Sequence, residues 1–122
     1  LEFYVMHVET GRFSRRLRLL RPGDPLFADR RVAGKMTLEG VPPESHVVCI
    51  ATGTGLAPFM SMLKTYRGTG RWRKMIVLHG TRLAHDLGYR GELERIAAED
   101  PTVVYLPTLT REPPASAWMG LR

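Results

Sequence analysis

The turn Gly53-Thr54-Gly55 restricts the fold of this chain more than any other feature of the sequence. It follows the β-branched apolar run 46–51, which is typical of a strand buried on both faces of a sheet. It precedes the range 56–63, where apolar residues recur at i, i+3, i+4 and i+7 and predict an amphipathic helix. These apolar residues are Leu56, Phe59, Met60 and Leu63. A glycine turn between such a strand and such a helix indicates a sheet with helical crossovers.

The alternation of strand and helix patterns continues along the chain. Residues 75–79 form a second strand pattern, 91–98 a second helix pattern and 102–106 a third strand pattern. This order predicts a parallel, Rossmann-like α/β sheet whose strands are joined by right-handed crossovers.

The first 42 residues have a different, β-rich pattern, and a proline-containing stretch at 41–45 separates them from the rest. We therefore predict two domains, 1–42 and 43–122. The elements expected in the first are strands over 3–8 and 32–38, a short helix that Ser14 caps and that runs through Leu17 and Leu20, and a turn at Pro22-Gly23-Asp24.

The glycine turn has the chemistry of a phosphate site. Glycines let the backbone approach a ligand, and a helix N-terminus offers unpaired N–H groups and the positive end of its dipole. The segment is not a P-loop, since no Lys-Ser or Lys-Thr follows, and Pro58 stands where the G-x-G-x-x-G pattern has its third glycine. Proline is well tolerated in the first turn of a helix. From these residues alone, a tight turn that binds no ligand stays an alternative.

The ends of the second and third strand patterns carry arginines where many dinucleotide sites carry an acid. The second ends in His79-Gly80-Thr81-Arg82, and the third leads into Leu109-Thr110-Arg111. An Asp or Glu at this point would bind the ribose hydroxyls of NAD. An arginine instead suits a phosphate additional to the diphosphate, which it can bind through two hydrogen bonds. Because open parallel sheets bind ligands at the carboxyl ends of their strands, the two arginines favour NADP(H). His79 also has the position of a site residue.

The net charge of +6 is concentrated in one stretch of the chain. Residues 12–35 contain eight basic and two acidic side chains, and the rest of the chain is balanced. Such a basic patch is expected to face an anionic partner, which could be a phosphate-bearing ligand, an acidic protein or a nucleic acid.

Several classes of protein are excluded by composition and spacing. Cys49 is the only cysteine, so no intrachain disulfide or cysteine-based metal cluster can form. The four histidines show no metal-ligand spacing, and no metal is expected. Apolar runs fall short of the roughly 18 residues that a membrane helix needs, so we expect no membrane insertion. Residues 1–4 lack the features of a signal peptide, and we expect a cytoplasmic location.

Taken in order, the motifs resemble those of the bacterial-type ferredoxin/flavodoxin–NADP reductase family. The glycine turn alone is shared by many flavin reductases, but Glu2-Phe3-Tyr4 followed by Gly11-Arg12-Phe13-Ser14 narrows the match to this branch. The other matching pieces are Pro22-Gly23-Asp24, residues 51–58, His79-Gly80-Thr81-Arg82 with Asp86-Leu87 and Tyr89, and Thr110-Arg111-Glu112.

The resemblance implies part of an antiparallel FAD-binding β-barrel followed by a parallel-sheet NADP-binding domain. It implies cofactor contacts and no acid–base catalytic residue, because the flavin supplies the redox chemistry. In the first domain, Tyr4 would lie against FAD, and Arg12, Phe13 and Ser14 would bind its diphosphate. In the second, Thr54 would lie near the flavin, Gly53, Thr54, Gly55, Leu56, Ala57 and Pro58 would form the nicotinamide nucleotide's diphosphate loop, and Arg82, Thr110 and Arg111 would hold the adenosine end with its 2′-phosphate.

The implied activity is hydride transfer between NADP(H) and FAD, coupled to single-electron transfer with ferredoxin or flavodoxin. The family's Arg-x-Tyr-Ser flavin motif would precede residue 1, and further elements would follow residue 122. The resemblance therefore implies a fragment that lacks both ends of the family's two domains and that could be inactive alone.

Two other readings remain open at this point. A reductase component of an oxygenase shares the glycine turn, although a fused iron–sulfur domain is excluded by the cysteine count. A non-catalytic basic module that binds nucleic acid or nucleotides would use the patch at 12–35. Since no helix-turn-helix, zinc or RNP pattern accompanies that patch, we expect no nucleic-acid partner.

Overall fold

The computed structural model describes residues 2–31, 33–113 and 117–121. It divides into two compact units, Leu1–Met36 and Thr37–Arg122. This division falls a few residues before the boundary predicted at 42 and 43, and the domain assignment stays a prediction. None of the helices in the described part of the chain is both long and apolar enough to cross a lipid bilayer.

The first unit contains one regular element, the helix α1 (Arg12–Leu17). The strands predicted over 3–8 and 32–38 are absent from the described residues, with Val32 lying outside them. A strand needs a neighbouring strand to satisfy its backbone hydrogen bonds, and none of the described residues of this unit forms such a ladder. None of them is buried either. The β-barrel part of the predicted fold therefore stays a prediction.

The prediction that Ser14 caps α1 is wrong. The helix begins at Arg12 with Gly11 as its N-cap and ends at Leu17, short of Leu20. Ser14 lies inside the helix, where its hydroxyl accepts from the Val8 N–H at 3.1 Å and donates to the Val8 carbonyl at 3.0 Å. A Cβ at Gly11 would stand 2.6 Å from the Ser14 Oγ, so this close contact requires glycine. The side chain ties α1 to the preceding segment instead of capping it.

The turn predicted at Pro22-Gly23-Asp24 is confirmed. The Asp24 N–H donates to the Arg21 carbonyl at 3.0 Å, and the Arg21 N–H donates to the Asp24 carboxylate at 2.7 Å. Gly23 has φ of +99°, a backbone conformation that is unfavourable for residues other than glycine.

The second unit is built on a parallel sheet of three strands in the order β1-β2-β3. The strands are β1 (His46–Thr52), β2 (Lys74–Thr81) and β3 (Val103–Leu109). They are connected by α2 (Ala57–Tyr66) and α3 (Arg90–Glu99), with single turns of 3-10 helix at Gly53–Leu56 and Ala84–Asp86. The parallel Rossmann-like alternation predicted from the sequence is confirmed, and β3 runs further than expected, through Pro107 to Leu109.

The core of this unit lies on one face of the sheet. The strand order never reverses, so right-handed crossovers put both helices on the same face. Met75 and Val77 on that face are fully buried, whereas Val48 and Ile50 on the other are 60% and 70% exposed. The expectation that β1 is buried on both faces is therefore wrong, because no described element of this unit covers its second face.

The helices cover the core with the stripes that the sequence predicted. Leu56, Phe59, Met60 and Leu63 are buried, as are Leu93 and Ile96 of α3. Trp72 is also buried, and its indole N–H donates to the Thr102 hydroxyl at 3.3 Å. Each of these contacts removes apolar surface from water and holds a crossover helix against the sheet.

An arginine holds the segment before β1 in place within the second unit. The Arg71 guanidinium donates through Nη2 to the carbonyls of Leu38 and Val41, the latter at 2.9 Å. Leu38 is buried in the same place. The chain is thus anchored just before it enters the sheet.

We expect the two faces of the sheet to differ sharply in their sensitivity to truncation. Met75→Ala should lower the free energy of unfolding by about 2–5 kcal/mol, because it leaves a cavity in the core. Ile50→Ala should cost at most about 1 kcal/mol, because the side chain is exposed. Urea denaturation followed by Trp72 fluorescence measures both. An equal loss at the two positions would contradict a one-sided core.

Candidate functional site

The glycine turn forms the first part of the helix that follows β1. Gly53–Leu56 is a turn of 3-10 helix that continues directly into α2, and Pro58 lies in the first turn of α2. Gly53 has φ of +52°, in the left-handed region that favours glycine. Leu56 is fully buried and fixes the turn to the core, while Thr54 and Gly55 are exposed. The turn therefore exposes the backbone of Thr54 and Gly55 just before a ten-residue helix, where an anion site would lie.

The strand ends that carry arginines lie side by side. Beyond β3, the Thr110 N–H donates to the Thr81 carbonyl at 3.1 Å, and the Arg111 N–H donates to the Arg82 carbonyl at 2.9 Å. The pairing of β2 with β3 thus continues past the last strand residues. It brings Arg82, Thr110 and Arg111 together, and all three are exposed.

The register of the sheet brings this arginine pair to the same edge as the glycine turn. Thr52 pairs with Gly80, and Gly80 pairs with Thr108. The residues that directly follow these positions are Gly53 in the turn and the two arginine-bearing strand ends. The structure therefore unites the second-domain residues predicted for the site, as the carboxyl edge of a parallel sheet allows.

His79 is fully buried beneath the glycine turn. Its Nε2 lies 3.3 Å from the Gly53 carbonyl oxygen, and its Nδ1 lies 3.3 Å from the Tyr105 hydroxyl. Burial lowers the pKa of His79 from its ordinary value of 6.5, and the hydrogen bond to Gly53 opposes that shift. A neutral imidazole thus connects β2 and β3 to the turn. Its predicted contact with a cofactor stays a prediction.

The loop that follows β2 is held by a carboxylate whose contact the sequence did not predict. Glu112, just beyond Arg111, accepts a hydrogen bond from the Ala84 N–H at 3.0 Å. Tyr105, the partner of His79, was missed as well. A usable signal existed for Tyr105, since a histidine predicted inside a buried strand needs polar partners for both ring nitrogens.

The candidate flavin residues lie in the first unit. Arg12, Phe13 and Ser14 are consecutive on α1, and Tyr4 lies in the irregular segment before it. A concave surface on this unit is lined by Arg12, Arg15, Arg16 and Leu19. Three guanidinium groups without a carboxylate in that lining make the surface attractive to an anion.

Cys49 and the histidines form no three-ligand cluster in the described part of the chain. Cys49 is buried in β1, and burial raises the pKa of its thiol to about 11, so the thiol stays protonated and unreactive. Among residues 2–31, 33–113 and 117–121, no group of three His, Cys, Asp or Glu side chains could hold a metal ion.

The buried His79 predicts that acid destabilises the fold. Its pKa is lowered in the folded state, so its contribution is complete above pH 6.5 and is lost as the pH falls below that value. We expect wild-type protein to lose stability between pH 7.5 and pH 5 more steeply than His79→Gln, by up to about 1.4 kcal/mol per pH unit. Denaturant titrations across this range measure the difference. Parallel pH profiles for the two proteins would show that His79 does not titrate as the structure requires.

Comparisons with known proteins agree with the parallel sheet and its turn. The sequence profile of the oxidoreductase NAD-binding domain matches residues 49–122. The ferredoxin–NADP reductase of Azotobacter vinelandii is 32% identical over 120 residues, which is 92% of this chain and 46% of the relative. The ferredoxin–NADP reductase of Pseudomonas aeruginosa is 31% identical over 121 residues, covering 93% of this chain and 47% of the relative. The chain thus spans about half the length of the curated relatives it matches.

A solved structure shares the fold. It is a ferredoxin NADP+ reductase from Neisseria gonorrhoeae with bound FAD and NADP, which superposes with a TM-score of 0.78 over 93% of this chain and 44% of its own. The two sequences are 24% identical, so this likeness concerns the fold alone.

Proposed function

The chain belongs to the family of oxidoreductase NAD-binding domains, and from this premise we propose that it provides the pyridine-nucleotide site of a flavin-dependent NADP(H) reductase. The electron carrier proposed is ferredoxin or flavodoxin. The two relatives are both ferredoxin–NADP reductases, which supports the reaction class and, of the two carriers, ferredoxin.

The observation that carries the choice of nucleotide is the pairing of the two strand ends. The hydrogen bond from Arg111 to the Arg82 carbonyl sets two exposed guanidinium-bearing residues next to each other, with Thr110 beside them. A 2′-phosphate carries two negative charges and several acceptor oxygens, which a pair of arginines and a hydroxyl can match. No carboxylate belongs to this trio, so the ribose hydroxyls of NAD would lack their usual partner. These residues therefore favour NADP(H).

The glycine turn supplies the second half of the proposed nucleotide contact. The exposed backbone of Thr54 and Gly55 just before α2 suits the diphosphate, and Gly55 leaves open space for it, since a Cβ there would meet no atom within 4 Å. Thr54, which is exposed on the turn, is the residue proposed to lie near the flavin.

Residues of the first unit are proposed to bind FAD. Arg12 and its neighbours on α1 form a cationic concave surface, which fits the diphosphate of a dinucleotide. Phe13 is 70% exposed and Tyr4 precedes the helix, so aromatic surface is available for a planar ring. When bound, FAD supplies the exchange between two-electron and one-electron transfer, and the protein contributes binding and electrostatics.

We expect the arginine pair to distinguish NADP+ from NAD+. Arg82→Ala and Arg111→Ala should each weaken NADP+ binding at least about tenfold, the loss expected when a charge-assisted hydrogen bond is removed. Binding of NAD+ should change little. Isothermal titration measures the affinities of wild type and of each variant for both nucleotides. Arg73→Ala is the control. Arg73 is exposed and lies just before β2, so the control removes the same charge at the opposite edge of the sheet.

This titration tests the role of the arginines separately from the proposed function. An equal loss of NADP+ and NAD+ affinity would show that the arginines do not read the 2′-phosphate. Absence of binding by the wild-type chain to either nucleotide would overturn the proposed function itself.

The basic patch predicts that a carrier protein binds in a salt-dependent way. Ferredoxins and flavodoxins are acidic, so the affinity of the chain for immobilised flavodoxin should fall as the salt concentration rises from 50 to 500 mM. Arg15→Glu combined with Arg16→Glu should weaken binding further, whereas Arg73→Glu should have a much smaller effect. Surface plasmon resonance measures these changes, and a flat salt profile would contradict steering by this patch.

A further inference from the structure

His79 stands at the centre of a hydrogen-bonded chain that crosses the second unit. The chain begins at the Tyr105 hydroxyl on β3, passes through the imidazole on β2 and ends at the Gly53 carbonyl in the turn after β1. The ring is fully buried, on the same face of β2 as the buried Met75 and Val77. A polar ring at such a place has a cost unless both nitrogens are satisfied, and here both have a partner.

The partners determine where the proton of the ring lies. A carbonyl oxygen can only accept, so Nε2 must carry the hydrogen that is donated to Gly53. The neutral ring then has a lone pair on Nδ1, which accepts from the Tyr105 hydroxyl. The Gly53 carbonyl therefore selects the Nε2–H form, and the Tyr105 hydroxyl, which can donate or accept, orients the ring by donating to Nδ1.

The carbonyl of Gly53 belongs to the same planar peptide as the N–H of Thr54. In a trans peptide the C=O and the N–H point in opposite directions, and the described chain contains no cis peptide bond. A hydrogen bond that holds the Gly53 oxygen inward on a buried histidine therefore turns the Thr54 N–H outward. Thr54 is on the exposed side of the turn, where the diphosphate is proposed to bind.

We propose that His79 is a positioning residue, oriented by Tyr105, which fixes the Gly53–Thr54 peptide so that the Thr54 N–H faces the phosphate of the nucleotide. This inference rests on the proposed function for the identity of the ligand. It differs from direct contact, since the buried ring acts on the ligand only through the backbone of the turn. A histidine that merely fills the core would stabilise the fold without setting the direction of this peptide.

Three substitutions separate these roles. His79→Gln keeps an N–H donor at nearly the position of Nε2, and His79→Leu keeps the volume but removes the donor. Tyr105→Phe keeps the ring of Tyr105 but removes the hydroxyl that orients the imidazole. Val77→Ala is the matched control, because Val77 is equally buried on the same face of β2. It lies two residues before His79 along the strand, further from the glycine turn.

The ligand probe is NADP+, which carries the diphosphate, titrated calorimetrically under conditions where every variant is folded. We expect His79→Leu to weaken binding about tenfold, the effect of one lost hydrogen bond. His79→Gln should stay within about threefold of wild type, and Val77→Ala within about twofold, although both lose stability. Equal affinities for His79→Leu and Val77→Ala would overturn the positioning role.

A second measurement tests the turn without any nucleotide. The Ala57 N–H donates to the Thr54 carbonyl, so its hydrogen exchange reports the order of the turn. His79→Leu should speed this exchange at least about tenfold relative to Val77→Ala. If wild-type protein fails to bind NADP+ but the exchange effect is present, the proposed function falls and the positioning of the turn stands.

Nitrogen-15 NMR of the imidazole tests the proton position directly. The Nε2–H tautomer is expected at pH 7 in wild-type protein, and Tyr105→Phe should keep it because the Gly53 carbonyl still requires a donor. A ring protonated only on Nδ1 would exclude donation to Gly53 and overturn the inference.

Discussion

The parallel register of the three strands is the constraint on which the candidate site depends. Parallel pairing puts all three carboxyl ends at one edge, and the pairs Thr52 with Gly80 and Gly80 with Thr108 set them level. A shift of either neighbour by one residue would turn every side chain to the opposite face. A shift of β3 would also separate Arg82 from Arg111, which are joined by one backbone hydrogen bond. Register therefore determines both the core and the grouping of the site residues.

The same topology accounts for the uneven burial of the sheet. Sequential strand order places both crossover helices on one face, so Met75 and Val77 are enclosed while Val48 and Ile50 remain accessible. Most of the stabilising apolar contact is thus concentrated on the face that also contains His79. The glycine turn rests on this better-packed side through Leu56, which is fully buried. A turn fixed to a dense core can hold its backbone N–H groups in one direction without a ligand.

The parts of the fold that sequence predicted well are those with local signals. The turn at Gly53, the periodic residues of α2 and the arginines at the strand ends depend on residues close together in the chain. Burial of β1 on both faces was wrong, because apolar residues such as Val48 and Ile50 do not reveal which elements will cover them. The strand expected over 3–8 was wrong for a related reason, since a strand requires a partner that its own residues do not specify. The link from His79 to Tyr105 was missed because it joins residues on two strands, and only the register places them within 3.3 Å.

In the proposed site, affinity and selectivity arise from different kinds of group. The glycine turn would hold the diphosphate with backbone N–H groups, which are the same for every pyridine nucleotide. Arg82 and Arg111 would read the 2′-phosphate with side chains, which substitution can change without disturbing the turn. His79 belongs to the first kind, because it acts on a backbone direction. Loss of His79 should therefore weaken NADP+ and NAD+ alike, whereas loss of either arginine should alter their ratio. Selectivity can accordingly change at the strand ends while the buried hydrogen-bonded chain keeps the common phosphate site intact.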